Sequence, residues 1–588
     1  MTDGELSVAE PEAEAMASSQ RLSGGWLRAG RLLALAVAVL AATYSAWALA
    51  RFPRITIDDA YISMRYARNL ADFGRLTWNV GESPVEGYTG VLYPVLLALA
   101  RLARVDLVLA SKVLGVVGYV LAGGFALLTL WRARVRVGVL SAVALLYCTV
   151  PYLILHALAG METMIFAASL TGAAAATYQA LTNPDSRFAE AVMWISLLIA
   201  TLARPEGIAF AGIAACGILL HRVRADGAPR AFVSFVRAIV WFAAPFAIYF
   251  GARWAYYGTM LPNTFYVKSA SAFQPDSLAQ IGLFLTSAIG IPAIATALAV
   301  LGFWLTGRSA EESEPAAHAI QPDGRSGSVA WTLLAVIAVF ALVSGLVYWR
   351  SVLMMGFAFR FFMPSYALLL VGLGLLTTLP RGHGADSGRS EQAGAGLALT
   401  VAAFMIAGVL VSTQVYVQVA GLADQETLAK SYEGLIEAEH AQAGKFVAAS
   451  VPGDGWLVVV EDAGAIPYYA GVKTVDWGSL NDRYLTELIP GVMSSDPARR
   501  AAAYRARADY VFAKKPAAFV FTSSDTTQVL RSPATVIPVG SADPQVLTED
   551  PRFADYVRVK TFSLWYSPEY NELVYLRRDL AAKLSPPQ

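Results

Sequence analysis

The stretch "ITIDDAYISMRYARNLADFGRLTWNVGESPVEGYTG", residues 55–90, places two adjacent carboxylates and several arginines inside a strongly apolar chain. Asp58 and Asp59 follow the first apolar segment, and the residues after them have the apolar periodicity of a helix. An aspartate at a helix N-terminus accepts backbone N–H bonds. An aspartate at a membrane edge can instead act as a general base toward a hydroxyl group. The sequence alone leaves both interpretations open.

The composition indicates a membrane protein. The 588 residues are 56% hydrophobic and only 15% charged, with a mean hydropathy of +0.50, whereas soluble domains carry about 25% charged residues. A net charge of +1 excludes nucleic acid as a partner, because phosphate neutralisation requires a basic surface. Two cysteines in apolar runs and five histidines without metal-ligand spacing predict no disulfide, no metal and no cofactor, with a metal bound by Asp58 and Asp59 left open as the alternative.

A membrane-spanning helix needs about 20 mostly apolar residues, and the chain contains roughly eleven such segments. They are Leu32–Ala50, Val113–Trp131, Val137–Leu155, Met161–Leu181, Ala189–Ala203, Gly207–Leu220, Phe235–Tyr256, Leu278–Leu305, Val329–Val347, Met363–Leu379 and Leu397–Val419. The shorter apolar segment Gly90–Leu102 is predicted to lie at the membrane interface. Residues 26–420 would form the transmembrane domain, with residues 52–112 as its first extracytoplasmic loop.

Basic residues in short loops predict the orientation of the chain in the membrane. With a disordered cytoplasmic tail at residues 1–25 and alternating spans, the loops richest in arginine fall on the cytoplasmic side. The segments with unusual polar content, including 53–89, "HALAGME", "ARPEG" and "GFAFRFF", then all fall on the outer side. We therefore expect a multi-pass protein of the inner (plasma) membrane whose functional residues face outward.

Residues 421–588 differ from the preceding part because apolar strands alternate with helical segments. The stretch "GWLVVVEDAGAIPYYAGVKTVDWGSLND" predicts a strand, a turn, a short helix and another strand, and later strands are predicted at "ADYVFAK", "AAFVFTS" and "NELVYLRR". This pattern predicts an extracytoplasmic α/β domain. Glu461 and Asp462 follow its first strand, and binding residues often collect at such strand ends.

Several motifs resemble those of one enzyme family in the same order along the chain. Besides residues 58–90 they are "GMETMIF", "LARPEG", "YYGTMLPNTFYVK", "FRFFMPSYALLL" and "VEDAGAIPYYAGVKTVDWGSLND". Together they make residues 55–482 similar to the GT-C superfamily of membrane glycosyltransferases, and in particular to the mycobacterial terminal arabinofuranosyltransferases. The resemblance implies a polytopic α-helical membrane protein with the GT-C fold and a C-terminal extracytoplasmic α/β domain.

The resemblance also implies an activity: inverting transfer of a sugar, such as arabinofuranose, from a polyprenyl phosphate to a cell-envelope glycan or lipid. Asp58 or Asp59 would be the catalytic base. A single phosphate as leaving group needs positive charge, which Arg204 and Arg360 are best placed to provide. The full set of predicted substrate-binding residues is Arg65, Arg68, Glu86, Tyr88, Glu162, Arg204, Glu206, Asn263, Lys268 and Arg360.

These residues also have simpler explanations. Arginines and lysines at helix ends extend toward lipid headgroups, and carboxylates beside Gly160 and Gly207 can cap helices. A transporter or flippase of lipid-linked sugars would need outer arginines as well. Its polar residues would, however, continue through the spans, whereas here they are concentrated at one side.

Overall fold

The computed structural model describes residues 32–52, 55–268, 273–310, 324–353, 356–378, 393–526, 529, 543–564 and 567–584, so the predicted tail lies outside the described residues. The helical part consists of α1 (Leu32–Arg51), α2 (Asp58–Phe73), α3 (Leu92–Leu102), α4 (Leu107–Arg132), α5 (Val137–Thr149), α6 (Pro151–Leu158), α7 (Thr163–Thr182), α8 (Arg187–Ala203), α9 (Glu206–Asp226), α10 (Ala228–Ala238), α11 (Ala244–Tyr257), α12 (Asn263–Lys268), α13 (Pro275–Phe284), α14 (Ile291–Ala310), α15 (Gly324–Trp349), α16 (Met363–Leu376) and α17 (Ala393–Ala420).

All eleven predicted spans coincide with helices. Within the described ranges, 8 helices are long and apolar enough to cross a membrane, and the pair α5–α6 makes a ninth, bent by 53° where Pro151 begins the second helix. The two remaining spans correspond to the shorter helices α8 and α16. Helix α3 is 11 residues long, which is shorter than a membrane span, and it packs beside α2; the interfacial position of Gly90–Leu102 stays a prediction. The chain is a multi-pass membrane protein.

One end of the helix bundle is held by basic residues of the loops predicted to be cytoplasmic. Arg222 and Arg325 both pair with Asp226, with N–O distances of 2.9 and 2.7 Å. The same arginines donate to the carbonyls of Ala180 and Leu181 at the end of α7. The polar residues of the predicted site lie at the opposite end, so the two ends have different chemistry.

A nearly continuous helical rod leads from the bundle to the C-terminal α/β region, by which we mean the described part of residues 421–588. It comprises α17, α18 (Leu422–Gly434), the π-helical turn Leu435–His440 and α19 (Ala441–Ser450). From within α17 to the end of α19, the segment Val401–Ser450 spans 50 residues. The rod ends in the layer of helices that packs against a sheet.

The sheet has five strands in the order β2-β1-β3-β5-β4. They are β1 (Trp456–Val460), β2 (Lys473–Asp476), β3 (Ala518–Ser523), β4 (Tyr556–Leu564) and β5 (Ser567–Arg577), accompanied by α20 (Ala465–Ala470), α21 (Arg483–Glu487), α22 (Ile489–Val492), α23 (Pro497–Ala513), α24 (Gln545–Thr548) and α25 (Arg578–Ala581). Strand β1 pairs in parallel with β2 and β3, whereas β5 pairs antiparallel with β3 and β4. Both faces are buried, which explains the continuous apolar runs in β1 and β3.

The predicted strand "ADYVFAK" is wrong, because residues 508–513 form the end of helix α23. Asp496 caps this helix through the N–H of Ala498, and Pro497 occupies its first position. Arg507, Ala508 and Val511 are buried at helical spacing. The β-branched and aromatic residues of this segment are thus one face of a helix. Strand β4, with its mixed burial, had not been predicted.

Candidate active site at one end of the helix bundle

Helix α2 begins at the two aspartates and presents them in different directions. Ile57 precedes the helix in extended conformation, and its N–H donates to the carbonyl of Ala159 at 3.1 Å. This bond fixes the start of α2 beside the end of α6. Successive residues of an α-helix are rotated by about 100°. Asp58 therefore faces the C-terminal α/β region, whereas Asp59 faces the helix bundle.

Asp59 contacts a cation that comes from a distant part of the chain. Its Oδ2 accepts a hydrogen bond from Arg360 Nη1 at 2.9 Å, and Lys268 adds a second nearby positive charge. Burial disfavours the charged carboxylate, but the charges of Arg360 and Lys268 outweigh this effect and lower the pKa of Asp59 below its usual value. Asp59 is therefore ionised at neutral pH and ready to accept a proton.

A strained turn before α16 presents Arg360. Ala358 and Phe359 have φ angles of 50° and 56°, a conformation that costs non-glycine residues about 1–3 kcal/mol each. His156 Nε2 is hydrogen-bonded to the carbonyl of Ala358 at 2.9 Å and holds the turn. Arg360 itself is buried, and its Nε has no hydrogen-bond partner among the described residues. The guanidinium group thus retains a donor for a ligand.

Lys268 ends helix α12 and is half-buried beside the same carboxylate. Burial lowers the pKa of Lys268, Asp59 opposes this shift, and the charge of Arg360 adds to it. Its ammonium group makes no hydrogen bond to any residue in the described part of the chain, although Lys268 carbonyl accepts the N–H of Val352. An anion bound here would restore the balance of charge.

Arg204, by contrast, is fully engaged by carboxylates. Its Nη1 donates to Glu162 at 3.0 Å, while Nε and Nη2 donate to the two oxygens of Glu206 at 3.2 and 2.8 Å. Tyr348 donates to Glu206 at 2.8 Å, and Thr89 donates to Glu162 at 3.5 Å. Burial acts to lower the pKa of Arg204, but Glu206 and Glu162 raise it above its usual value. These residues form one buried network beside Lys268.

Asp58 binds the C-terminal α/β region through both carboxylate oxygens. The N–H groups of Gly464 and Ala465 donate to Oδ2 and Oδ1 at 2.7 Å each, and His440 Nδ1 lies 3.1 Å from Oδ1. A Cβ atom at Gly464 would lie 1.9 Å from the backbone oxygen of Asp58, so only glycine allows this approach. Asp58 therefore joins α2 to the start of α20.

His440 is surrounded by carboxylates at the end of the π-helical turn. Its Nε2 lies 3.3 Å from Glu572 and 3.9 Å from Asp462. Thr522 donates to Asp462 at 2.7 Å, and Tyr570 also donates to Asp462. Burial raises the pKa of Asp462 and of Glu572, because charged carboxylates are poorly solvated there.

Among the described residues, one set of side chains brings potential metal ligands close together. One ligand atom from each of Asp58, His440 and Asp462 lies within 4.8 Å of the other two. Asp59 is not part of this set, because it faces the bundle. The N-terminus of α2 thus has two different sides: a cation-rich side at Asp59 and a carboxylate-rich side at Asp58.

Two of the predicted arginines lie on another side of α2, against the C-terminal α/β region. Arg65 is buried and donates to the carbonyls of Trp78, Pro467 and Val472 and to the Asn79 side chain. Arg68 donates to the carbonyl of Tyr468 at 2.8 Å and lies over its ring. The structure does not bring these two side chains to Asp59.

Three further predicted residues hold the loops around the site. Glu86 forms a buried ion pair with Arg253; burial raises the pKa of Glu86, and this pair opposes the shift. The hydroxyls of Tyr88 and Tyr257 are 3.1 Å apart. Asn263 Nδ2 donates to the carbonyls of Ser479 and Leu480 and to Thr486 Oγ1 at 2.8–2.9 Å. These contacts join the first loop, α11 and the region after β2.

Sequence reasoning missed His440, Glu572, Tyr348 and Arg253. None belongs to a local motif, since each meets its partner only through the tertiary fold: His440 and Asp58 are separated by 382 positions. Asp462 was indicated by its position after the first strand of the sheet. A signal for His440 was its place in the acidic segment "EAEH", where it is the only basic residue.

The chain is similar in structure to solved membrane proteins. ArnT from Cupriavidus metallidurans in the apo state aligns at 16% identity over 96% of this chain and 100% of that chain, with a TM-score of 0.50. The same protein bound to undecaprenyl phosphate aligns at 15% identity over 96% of this chain and 99% of that chain, with a TM-score of 0.47. The archaeal oligosaccharyltransferase AglB from Archaeoglobus fulgidus, in complex with an inhibitory peptide and a dolichol-phosphate, aligns at 12% identity over 83% of this chain and 69% of that chain, with a TM-score of 0.49.

At the level of sequence, a known family matches only the C-terminal part of the chain. Residues 419–577 match a family model described as "Domain of unknown function (DUF8728)". A search of curated proteins finds none that matches. The likeness to apo ArnT extends over nearly the whole of both chains, and at this identity it shows the fold. The protein is a polytopic α-helical membrane protein with the GT-C fold and a C-terminal sheet region.

Proposed function

We propose that this protein is an inverting glycosyltransferase that moves a sugar from a polyprenyl phosphate to a hydroxyl group of a cell-envelope glycan or lipid. The observation that carries the proposal is the grouping of Asp59, Arg360 and Lys268 at one end of an apolar helix bundle. A polyprenyl-phosphate sugar has its charged group at the membrane surface and its chain among the lipids. A base and two cations at a helix-bundle end match that shape.

The donor phosphate binds between Lys268 and Arg360. Both cations are available, because Lys268 makes no hydrogen bond to described residues and Arg360 Nε is unpaired among them. Arg204 stays with Glu162 and Glu206, and these carboxylates accept hydrogen bonds from sugar hydroxyls. Arginine and lysine charges stabilise the phosphate as negative charge develops on it.

The reaction is a single displacement at the anomeric carbon. The acceptor oxygen attacks this carbon from the face opposite the phosphate and forms the new glycosidic bond. The bond between the anomeric carbon and the phosphate oxygen breaks, and its electron pair leaves with the polyprenyl phosphate. Asp59 accepts the proton of the acceptor hydroxyl. Attack from the opposite face inverts the configuration at the anomeric carbon.

Donor binding also prepares the base. In the free protein the charge of Arg360 lowers the pKa of Asp59. A bound phosphate attracts the same guanidinium group and weakens its hold on Asp59, so the carboxylate becomes more basic when the donor is present. The ion pair thus couples occupation of the phosphate site to the strength of the base.

The remaining predicted residues have supporting roles in this proposal. Arg65, Arg68, Glu86, Tyr88 and Asn263 hold the first loop and the C-terminal α/β region around the site. The family resemblance of the sequence favours arabinofuranose as the sugar. The arginine-rich loops favour an inner-membrane protein with the site and the C-terminal region outside the cytoplasm. Reporter fusions after residues 226 and 584 would report opposite sides of the membrane.

The test is a transfer assay with membranes, a radiolabelled polyprenyl-phosphate sugar and a cell-envelope acceptor. Asp59→Asn keeps the shape of the side chain but removes the base, so we expect the transfer rate to fall about 10²–10⁴-fold. Asp58→Asn should lose less transfer activity than Asp59→Asn when the activity is expressed per amount of folded protein. Full activity of Asp59→Asn would exclude Asp59 as the base. Movement of the lipid across the membrane without sugar transfer would favour a flippase instead.

A further inference from the structure

The carboxylate-rich side of α2 contains more buried carboxyl groups than basic groups. Asp58, Glu439 and Glu572 are buried, Asp462 is half-buried, and all four lie around His440. Within the described ranges, no lysine or arginine forms an ion pair with any of these carboxylates. One histidine cannot balance four carboxylates even when it is protonated. Uncompensated charge is unfavourable in the protein interior, so these carboxyl groups must either stay protonated or be neutralised by a further positive charge.

His440 itself points to a ligand. Its side chain is fully buried, yet Nε2 has no hydrogen-bond partner with acceptable geometry among the described residues. His440 closes the π-helical turn Leu435–His440, and such turns interrupt α-helices frequently at functional sites. The turn places the imidazole between helix α2 and the sheet.

We propose that Asp58, His440 and Asp462 bind one divalent transition-metal ion, Zn²⁺ or Mn²⁺, at the junction of the helix bundle and the C-terminal α/β region. Their ligand atoms lie within 4.8 Å of one another. Ligands at about 2.1 Å from an ion are up to about 4.2 Å apart, so only small shifts are required. A mixed imidazole and carboxylate set suits Zn²⁺ and Mn²⁺.

The surroundings suit a metal site as well. Gly464 and Ala465 donate their N–H groups to Asp58, which fixes the carboxylate without using all its lone pairs. Thr522 and Tyr570 donate to Asp462 and orient it in the same way. Such outer contacts typically hold metal ligands in place. The ion would join the start of α2 to β1 and to the helical rod, one residue from Asp59, and would not contact the donor phosphate.

The test measures binding without any sugar donor, so it does not depend on the proposed transferase activity. Full-length protein in detergent is treated with a chelator, dialysed and titrated with Zn²⁺ and separately with Mn²⁺. Bound metal is determined by elemental analysis and, for Mn²⁺, by electron paramagnetic resonance. We expect one ion per chain and a rise in Tm on loading, because an ion that binds only the folded state stabilises it.

Two variants locate the site. Asp462→Asn removes a ligand and should weaken metal binding at least 10-fold. Asp476→Asn is the matched control: Asp476 is also a buried aspartate at the end of a parallel strand, but it accepts hydrogen bonds from Asn481 instead of facing His440. This control should retain one ion per chain.

Three results would overturn the proposal. The first is wild-type protein that binds neither ion stoichiometrically at micromolar concentration. The second is equal binding by wild-type protein and Asp462→Asn. The third is an unchanged Tm of the wild-type protein on chelation and reloading, which remains informative even if the variants fail to fold. Loss of transfer activity in any variant is not used as a readout.

Discussion

Asp59 Oδ2 and Arg360 Nη1 are 2.9 Å apart, although 301 positions of the chain separate the two residues. The contact joins the first turn of α2 to the strained turn before α16. It places a carboxylate and a guanidinium group where a phosphate and a hydroxyl group would compete for them. Removing either partner therefore changes the properties of the other.

Arg360→Gln should change both donor binding and pH dependence. Arg360 and Lys268 lower the pKa of Asp59, so the carboxylate is ionised above that low pKa and activity is lost as the pH falls through it. Without Arg360 the pKa of Asp59 rises, and the acid limb of the kcat/KM profile should move to higher pH. Loss of one charged donor should also lower kcat/KM about 10²–10³-fold at neutral pH.

The exposed Arg350 provides the control for this experiment. It lies in the same loop segment and contacts the ring of Phe273 rather than a carboxylate. Arg350→Gln should leave the pH profile unchanged. An acid limb of Arg360→Gln that coincides with that of the wild type would show that Asp59 is not the group that titrates.

Lys268 and Arg204 should respond differently to the same substitution. Arg204→Met leaves Glu162 and Glu206 buried without their cation, which typically costs about 3–5 kcal/mol of stability. Lys268→Met removes no hydrogen bond to described residues, so Tm should change little while KM for the lipid donor rises at least 10-fold. Tm and donor KM measured for both variants distinguish the roles. Equal loss of Tm in the two variants would contradict this assignment.

Gly464→Ala should separate the C-terminal α/β region from α2. The added Cβ would lie 1.9 Å from the backbone oxygen of Asp58, and neither backbone segment can move easily. Overpacking of this kind costs about 1–3 kcal/mol, so we expect a lower Tm and faster proteolysis between residues 421 and 464. Gly453→Ala is the control, because nothing lies within 4 Å of its Cβ position. Similar Tm values for the two variants would exclude a close approach at Gly464.

Arg65 should contribute more to stability than Arg68, although both lie in α2. Arg65→Met removes four hydrogen bonds from a charged donor to protein oxygens, whereas Arg68→Met removes a single one. A hydrogen bond to a charged group contributes about 1.5–3 kcal/mol. The Tm of Arg65→Met should therefore fall several degrees below that of Arg68→Met. If Arg65→Met raised the donor KM and left Tm unchanged, the result would instead support the prediction that Arg65 contacts the substrate.

The helical part was predictable because each span carries its own signal in length and hydropathy. Even the short helix α16 could be located from "MPSYALLLVGLGLL". The segment of residues 508–514 could not be assigned from its composition, because Val511 and Phe512 suit a buried strand as well as a buried helix face. Asp496 followed by Pro497 is a local signal for a helix start, whereas the burial of Arg507 on the same helix face depends on the tertiary fold.

The site was predictable only in part. The sequence singled out Asp58, Asp59, Arg204 and Arg360, and the structure places them at one end of the helix bundle, but the sequence did not distinguish the two aspartates. The difference arises from a rotation of one helical residue, which directs Asp58 to Gly464 and Asp59 to Arg360. Neither partner is local in sequence. Arg65 was assigned to substrate because an arginine beside a polar loop looks alike whether it binds a phosphate or four protein oxygens.

The helical rod Val401–Ser450 determines how the two halves of the molecule can evolve. One residue inserted between α17 and the π-helical turn would rotate His440 by about 100° and advance it by about 1.5 Å. His440 would then no longer meet Asp58. Insertions and deletions in this rod are therefore tolerated poorly, and hybrids that exchange the sheet region between relatives must preserve the number of residues between the bilayer and the imidazole.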